Sequence, residues 1–430
     1  MAREGRTALL CSMPAVGHVG PMLVVAEELL RRGWRVRFLT GRRYRAQVEA
    51  AGAEYAQLPA EADTLDEVGT GERNRGRATI NLGVEEAFVR PAYAAADAVL
   101  RLLEEEPAEV VLHDMTFLGV QALFARPADD RPLMVMCGIG PAGFSSRDCP
   151  PYGLGIIPSS NRAWGRMRDA VLNRTAKLVL APAHKALDRF LESVGAPTLD
   201  GSFFMDMLAR SDLLAQFTVP EFEYPRSDAP DALRFYGPMA GPARRPGPPP
   251  EWWPRLQEGT PLVHVTQGTV ANTDFSEVIE PTLAALADER VQVVVSAGGA
   301  ALDDLPPLPS NAFASSYLDY EALLPRTSVF VTNGGYGGLH HAMRYGVPIV
   351  IAGDSEDKVE TSARVEWSGV GVNLRTGRPT PDQVGTAVRR LLDDPSFARR
   401  SAALGASIST ARGARGLIDD VEAAASTRRR

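Results

Sequence analysis

The sequence has few cysteines and no long apolar segment. Cys11, Cys137 and Cys149 are odd in number and lack the spacing of a metal site, which favours a reducing, cytoplasmic setting. No apolar run reaches the roughly 20 residues that a membrane-spanning helix needs, and the N-terminus lacks a signal-peptide pattern. We therefore expect a cytoplasmic protein without stable membrane insertion.

Positive charge is also in short supply. The chain has 46 Lys and Arg against 53 Asp and Glu, a net charge of −7, which does not indicate a nucleic-acid partner. Its 45% hydrophobic and 23% charged residues are typical of a compact globular protein. A length of 430 residues exceeds one ordinary domain, so two or three domains are expected.

Short apolar strands alternate with amphipathic helices in both halves of the chain. In the first half, strands are predicted at 7–13, 35–40, 54–58, 109–113 and 133–137, and helices at 22–32, 43–51 and 91–105. In the second half, strands are predicted at 262–266, 291–296, 328–332 and 347–351, and helices at 275–289 and 336–345. This alternation predicts an α/β protein with two doubly wound parallel sheets.

A proline-rich segment, 237–250, separates the two halves, because its composition suits neither helix nor strand. The predicted divisions are an N-terminal domain (1–236), a linker (237–256), a C-terminal domain (257–405) and a C-terminal helix and tail (406–430). Packing of that last helix against the N-terminal domain is one option. Residues 160–215 interrupt the strand–helix alternation and predict a helical insertion that lines a pocket.

The loop from Pro14 to Pro21 follows the first strand directly. Loops at this edge of a parallel sheet usually bind ligands. His18 is expected near a helix N-terminus, which favours a neutral ring and makes it a candidate general base. Asp114 ends a strand of the same sheet and is the candidate to orient that ring. The alternative is that His18 only caps a helix and Asp114 is a solvated strand end, and spacing alone leaves both open.

A glycine-rich turn in the second half predicts a phosphate site. Gly334, Gly335, Gly337 and Gly338 leave backbone N–H groups unobstructed at a helix start, where a diphosphate binds favourably. A second strand ends in Thr266–Thr269, whose Thr269 hydroxyl suits the same phosphates. Neither a Walker lysine nor the dinucleotide glycine pattern is present, which argues against ATPase and NAD-binding functions.

The P-x-x-G-H-x-x-P loop at 14–21 and the stretch 317–373 together resemble the signatures of the UDP-glycosyltransferase superfamily. The resemblance covers nearly the whole chain and is strongest to the bacterial macrolide and antibiotic branch. It implies a GT-B fold, in which two Rossmann-like domains face each other across a cleft. It also implies inverting transfer from a UDP- or dTDP-sugar to a small lipophilic acceptor such as a polyketide or macrolide, without a metal or further cofactor.

The resemblance implies roles for individual residues. His18 matches the base that deprotonates the acceptor hydroxyl, and Asp114 matches the acid that orients it. On the donor side, Thr269 matches a phosphate ligand, and Tyr317 and the Leu318 backbone match the groups that hold the nucleotide base. The other implied donor residues are Gly17, Asn333, Gly335, Gly337, Gly338, His341, Asp357 and Lys358. The expected acceptor residues are Phe88, Phe144 and Trp164.

Several departures from the family pattern affect the donor site. Asn333 replaces a histidine, His341 stands where many members have a ribose-binding glutamate, and Lys358 replaces a glutamine. Lys358 either contacts the sugar, the interpretation we favour, or pairs with Glu356 or Glu360 outside the pocket. The alternative functions are a nucleotide-sugar epimerase of the same architecture or a non-catalytic nucleotide-sugar-binding helper. Monomer and homodimer both remain open.

Overall fold

The structure is a computed structural model that describes residues 6–64, 77–239, 248–269, 274–354 and 357–428. The first half forms a seven-stranded sheet in the order β3-β2-β1-β4-β5-β6-β7, and all its neighbouring strands are parallel. Its strands are β1 (Thr7–Cys11), β2 (Arg35–Thr40), β3 (Glu54–Gln57), β4 (Val110–Asp114), β5 (Leu133–Gly138), β6 (Leu213–Gln216) and β7 (Leu233–Phe235). The predicted parallel sheet is therefore confirmed for this half.

Helices cover both faces of this sheet. Alternate residues of β1 belong to different hydrophobic clusters, Ala8 and Leu10 to one and Leu9 and Cys11 to another, so the strand is buried on both sides. Continuous apolar strands of this kind are typical of parallel sheets. The helices of this half are α1 (Val16–Arg31), α2 (Arg45–Ala50), α3 (Arg77–Val84), α4 (Arg90–Glu105), α5 (Arg162–Val179) and α6 (Ala181–Ser193).

The second half forms a six-stranded parallel sheet in the order β10-β9-β8-β11-β12-β13. Its strands are β8 (Leu262–Thr266), β9 (Gln292–Ser296), β10 (Ala312–Ser315), β11 (Val329–Thr332), β12 (Ile349–Ile351) and β13 (Gly371–Asn373). Its helices are α7 (Ile279–Leu286), α8 (Tyr320–Leu323), α9 (Tyr336–Arg344), α10 (Lys358–Ser368), α11 (Pro381–Asp393) and α12 (Ser396–Thr410). The second predicted sheet is also confirmed.

Helix α1 begins at Val16, earlier than the predicted start at residue 22. Gly17 and Pro21 have low helix propensity, but Val19 and Met22 are fully buried against the sheet. Burial of this apolar face outweighs the local propensity, so the predicted loop is mostly the first turns of the helix. His18 therefore lies in the first turn, close to the helix N-terminus.

The last helix, α13 (Gly413–Arg428), leaves the second half and packs against the first. Leu417, Ile418 and Val421 are fully buried in the core beneath β1. Beside this core, the hydroxyl of the buried Tyr236 donates to Asp420 over 2.7 Å. The chain thus crosses between its halves twice: once in the segment predicted as a linker, of which 240–247 lie outside the described residues, and once before α13. In the part of the chain that is described, no helix is long and apolar enough to cross a membrane.

Candidate active site

A cleft of about 3020 Å³ lies between the two halves. Its walls come from residues that follow the carboxyl ends of strands in both sheets, where open α/β proteins bind ligands. His18 and Thr116 line the N-terminal wall, and Thr269, Asn333 and Lys358 line the C-terminal wall. Residues predicted from two distant parts of the sequence therefore meet in one cavity.

His18 and Asp114 form a hydrogen-bonded pair at the N-terminal wall. The Nδ1 atom of His18 lies 3.1 Å from Oδ2 of Asp114. The His18 side chain is 21% exposed and lines the cleft, whereas the Asp114 side chain is fully buried. The aspartate is therefore the inner partner, which excludes the solvated strand end that the sequence alone left open.

The Asp114 carboxylate is held by several further donors. Oδ2 accepts from the Met13 N–H over 2.7 Å, and Oδ1 accepts from the N–H and hydroxyl of Thr116 over 2.8 and 2.7 Å. Burial alone would raise the pKa of Asp114, but the neighbouring His18 and these hydrogen bonds outweigh burial and lower that pKa to about 2. Asp114 is thus a carboxylate throughout the neutral pH range.

This arrangement selects one tautomer of His18. A carboxylate accepts hydrogen bonds, so Nδ1 carries the proton and donates it to Asp114. Nε2 then carries the lone pair and is able to accept a proton. Thr116 Oγ1 also lies 3.2 Å from Nδ1 and steadies the same edge of the ring.

Sequence reasoning missed Thr116 and Met13. An aspartate followed two residues later by threonine is a common turn pattern, in which the carboxylate accepts from the nearby N–H, and this signal was available for Thr116. The Met13 N–H reaches Asp114 only because β1 and β4 are neighbours in the sheet, with Cys11 opposite His113. No local sequence pattern indicates this contact between Met13 and Asp114.

The glycine-rich turn opens α9 at the opposite wall. Gly335 is the N-cap residue of the helix, and a Cβ at Gly335 or Gly337 would meet nothing within 4 Å. Gly334 has φ of +104°, and a Cβ there would lie 3.0–3.1 Å from Ile351 and Thr361. The turn therefore depends on glycine for its conformation and leaves the first-turn N–H groups accessible to an anion.

Asn333 joins this turn to the end of β8. It is 4% exposed, and its Nδ2 donates to the Gln267 carbonyl over 2.7 Å. One amide hydrogen is thus used to tie the two loops together, a structural role that the sequence did not predict. Thr269, Gly337 and Gly338 line the cleft beside it.

Tyr317, Leu318 and His341 line the C-terminal wall of the cleft. The Tyr317 side chain is 65% exposed, and its hydroxyl lies against Gly299, which has φ of +94°. The His341 ring packs edge-on against Tyr320 at 5.7 Å, and burial lowers the pKa of His341. An exposed aromatic ring such as that of Tyr317 suits stacking on a nucleotide base.

Asp357 and Lys358 line the cleft at the start of α10. Lys358 is 6% exposed. Both carboxylate oxygens of Glu360, one of the alternative partners for Lys358, accept hydrogen bonds from Gly153, Gly155 and Arg364. The other alternative partner, Glu356, lies outside the described residues.

Of the three expected acceptor residues, the cleft wall includes Phe88 but neither Phe144 nor Trp164. Phe144 is buried beneath the Arg226 guanidinium, whose central carbon lies 4.9 Å from the ring centroid. Trp164 is 54% exposed on α5. Other apolar side chains line this end of the cleft: Val84, Met115, Leu118, Leu180, Phe204 and Met205.

Among the described residues, no three His, Cys, Asp or Glu side chains are grouped to hold a metal ion.

Both halves of the chain match known protein families. Residues 15–135 match the family described as glycosyltransferase family 28 N-terminal domain. Residues 280–417 match the family described as erythromycin biosynthesis protein CIII-like, C-terminal domain. The two matched segments contain His18 and Asp114 on one side and the glycine-rich turn on the other. The fold and the site thus define a two-domain glycosyltransferase.

Relatives extend these matches over the full chain. The 4'-demethylrebeccamycin synthase of Lentzea aerocolonigenes is 38% identical over 93% of this chain and 95% of its own length. A crystal structure of the glycosyltransferase of kitacinnamycin has a TM-score of 0.73 at 21% identity and covers 98% of this chain and 99% of its own. The spinosyn rhamnosyltransferase complexed with thymidine diphosphate has a TM-score of 0.68 at 19% identity, over 97% and 100% of the two chains.

The chain therefore belongs to the UDP-glycosyltransferase superfamily and has the GT-B fold. Its relatives are glycosyltransferases of natural-product pathways, so the epimerase and helper alternatives are not favoured. The family resemblance read from the sequence is confirmed.

Proposed function

We propose that this enzyme transfers a sugar from a UDP- or dTDP-sugar to a hydroxyl of a small lipophilic natural product, such as a polyketide or macrolide, with inversion at the anomeric carbon. The proposal depends on one observation. A carboxylate-oriented histidine and a glycine-rich helix N-terminus face the same cleft from opposite domains. This arrangement provides a proton acceptor on one side and a diphosphate site on the other.

The diphosphate is held by the first-turn N–H groups of α9 and by the hydroxyl of Thr269. Helix N-termini stabilise anions through unpaired N–H groups and the helix dipole. The thymidine diphosphate complex of the spinosyn rhamnosyltransferase supports a nucleoside diphosphate as ligand in this fold. The nucleotide base stacks on Tyr317, and Asp357 and Lys358 hold the sugar hydroxyls.

Transfer takes place in a single displacement. His18 Nε2 takes the proton of the acceptor hydroxyl, and the acceptor oxygen forms a bond to the anomeric carbon. The bond between that carbon and the diphosphate oxygen breaks, and the diphosphate leaves with the electron pair. Asp114 stabilises the imidazolium that forms, and the N–H groups of α9 stabilise the leaving charge. One displacement inverts the configuration.

The acceptor binds against the apolar side chains of the N-terminal wall, including Phe88 and Met115. Their character supports a lipophilic acceptor, and the kinship with the 4'-demethylrebeccamycin synthase supports a natural product. The decisive experiment incubates the enzyme with UDP-glucose or a dTDP-sugar and a panel of hydroxylated polyketides and flavonoids. Mass spectrometry is expected to find products heavier by one sugar, and NMR to find an inverted anomeric centre. Retention of configuration, or no product with any donor, would contradict the proposal.

A further inference from the structure

A buried group of four charged residues connects the two domains beside the cleft. We call Glu223, Arg226, Glu360 and Arg364 the junction cluster. Arg364, on α10 of the C-terminal domain, donates to Glu223 of the N-terminal domain over 2.7 and 3.1 Å. It also donates to Glu360 over 3.0 Å, and the Arg364 and Glu223 side chains are each 1% exposed. Two carboxylates and two guanidinium groups balance in charge, as buried ions must.

Glu360 extends this connection to a loop of the N-terminal domain. Its Oε1 accepts from the N–H groups of both Gly153 and Gly155 over 2.9 Å. Gly155 has φ of +60°, and a Cβ there would lie 2.8 Å from the carbonyl oxygen of Val359. The loop is thus fixed against α10 by two charge-assisted hydrogen bonds and by close backbone contact.

The fixed loop begins with Tyr152, which lines the cleft. Tyr152 lies within electrostatic range of Asp357, which stands with Lys358 at the start of α10. Gly140, also of the N-terminal domain, comes so near that a Cβ there would be 3.4 Å from Oδ2 of Asp357. Burial, and then the negative charge of Asp357, raise the pKa of Tyr152, so its hydroxyl keeps its proton and can donate it in a hydrogen bond.

From this geometry we infer that the sugar subsite is built from both domains, with Tyr152 as a sugar-binding residue and Glu360 as the residue that positions it. The inference rests on the proposed function, because it assigns the subsite of the same donor. Asp357 and Lys358 contact the sugar from the C-terminal side, and the Tyr152 hydroxyl contacts it from the N-terminal side. Glu360 does not touch the sugar; it holds the Tyr152 loop in register with α10.

Binding of two related ligands separates the sugar contact from the nucleotide contact. Isothermal calorimetry measures the affinities of UDP and UDP-glucose, and of dTDP and dTDP-glucose, for the full-length protein. For Tyr152→Phe, which removes only the hydroxyl, the affinity for the sugar nucleotide is expected to fall roughly three- to tenfold, as for one lost hydrogen bond. The affinity for the free diphosphate is expected to stay unchanged. Tyr93→Phe, at an exposed tyrosine outside the cleft lining, is the matched control.

The positioning role of Glu360 is tested with Glu360→Gln. Glutamine keeps an acceptor for one partner but presents an N–H group to the other, so the loop or Arg364 loses its contact. We expect the same selective loss of sugar-nucleotide affinity, and little further loss in the double variant with Tyr152→Phe, because both act through one contact. Glu366→Gln, on the same helix but paired with the exposed Arg375, is the control.

The outcomes distinguish this inference from the proposed function. If both variants bind sugar nucleotide as well as the wild type while transfer persists, the two-domain subsite is wrong and the transferase stands. If the affinity ratio falls as expected but the wild type transfers no sugar, the subsite stands and the proposed reaction fails. Equal losses for the free diphosphate and the sugar nucleotide would overturn the inference, because they indicate general disruption rather than a lost sugar contact.

Discussion

Nδ1 of His18 lies 3.1 Å from Oδ2 of Asp114, although 96 residues separate them in the chain. The sheet explains this closeness. Strands β1 and β4 are parallel neighbours with Cys11 opposite His113, so their carboxyl ends emerge side by side. His18 follows one end on α1 and Asp114 terminates the other. The hydrogen-bonded pair is thus a direct product of strand order.

His18→Ala is expected to lower kcat at least about a hundredfold, the usual loss when a general base is removed. The affinity for the nucleoside diphosphate should remain unchanged, since that ligand binds the opposite wall. Steady-state kinetics and calorimetry measure the two quantities. His184→Ala, at a histidine outside the cleft lining, serves as control. Equal turnover of the His18 variant and the wild type would remove His18 from the mechanism.

Asp114→Asn is expected to reduce stability by roughly 2 kcal/mol at pH 7, in proportion to the lowered pKa of the carboxyl. Because folding lowers the pKa of Asp114 from 3.8 to about 2, the carboxylate stabilises the protein above pH 4. That contribution is lost as the pH falls through 2. Urea unfolding of both proteins at pH 7 and pH 3 should therefore give a smaller difference at the lower pH. A difference that does not change with pH would contradict this account of Asp114.

Tyr317→Ala is expected to weaken the binding of UDP or dTDP, because base stacking on an aromatic ring contributes roughly 1–3 kcal/mol. Tyr317→Phe keeps the ring and should bind the nucleotide normally. Calorimetry with the free diphosphates compares the two variants. If the alanine variant binds as tightly as the phenylalanine variant, the base does not stack on this ring.

Arg364→Met is expected to destabilise the enzyme by about 3–5 kcal/mol, since it leaves the two buried carboxylates of Glu223 and Glu360 with Arg226 as the cluster's other guanidinium. Arg375→Met breaks an ion pair at the surface and should cost less than about 1 kcal/mol. The midpoints of urea unfolding measure both effects. Similar midpoints for the two variants would mean that the junction cluster adds no stability.

The sequence predicts the fold well because both sheets consist of fully buried apolar strands with amphipathic helices between them. It predicts poorly the segments that are short or whose local propensity conflicts with their burial. Strands β6 and β7 have only four and three residues, too few for a periodic signal. Helix α7 (Ile279–Leu286) is shorter at both ends than the predicted 275–289.

The candidate site is predictable where a residue follows a strand end directly, as His18, Asp114 and the glycine-rich turn do. Contacts that depend on tertiary packing have no local sequence pattern from which they could be predicted. Arg364 and Glu223 are 141 positions apart, and nothing in either local sequence relates them. Phe144 and Trp164 lie outside the cleft lining for the same reason, because aromatic character does not reveal which way a side chain faces.

Because α13 completes the N-terminal domain, the order in which the protein is made differs from the order in which it folds. The first domain emerges from the ribosome early, yet its core beneath β1 stays open until Leu417, Ile418 and Val421 have been synthesised. A chain that stops after residue 412 would expose this apolar surface and aggregate. The half of the enzyme that is translated first thus waits for α13, which is translated after the second half.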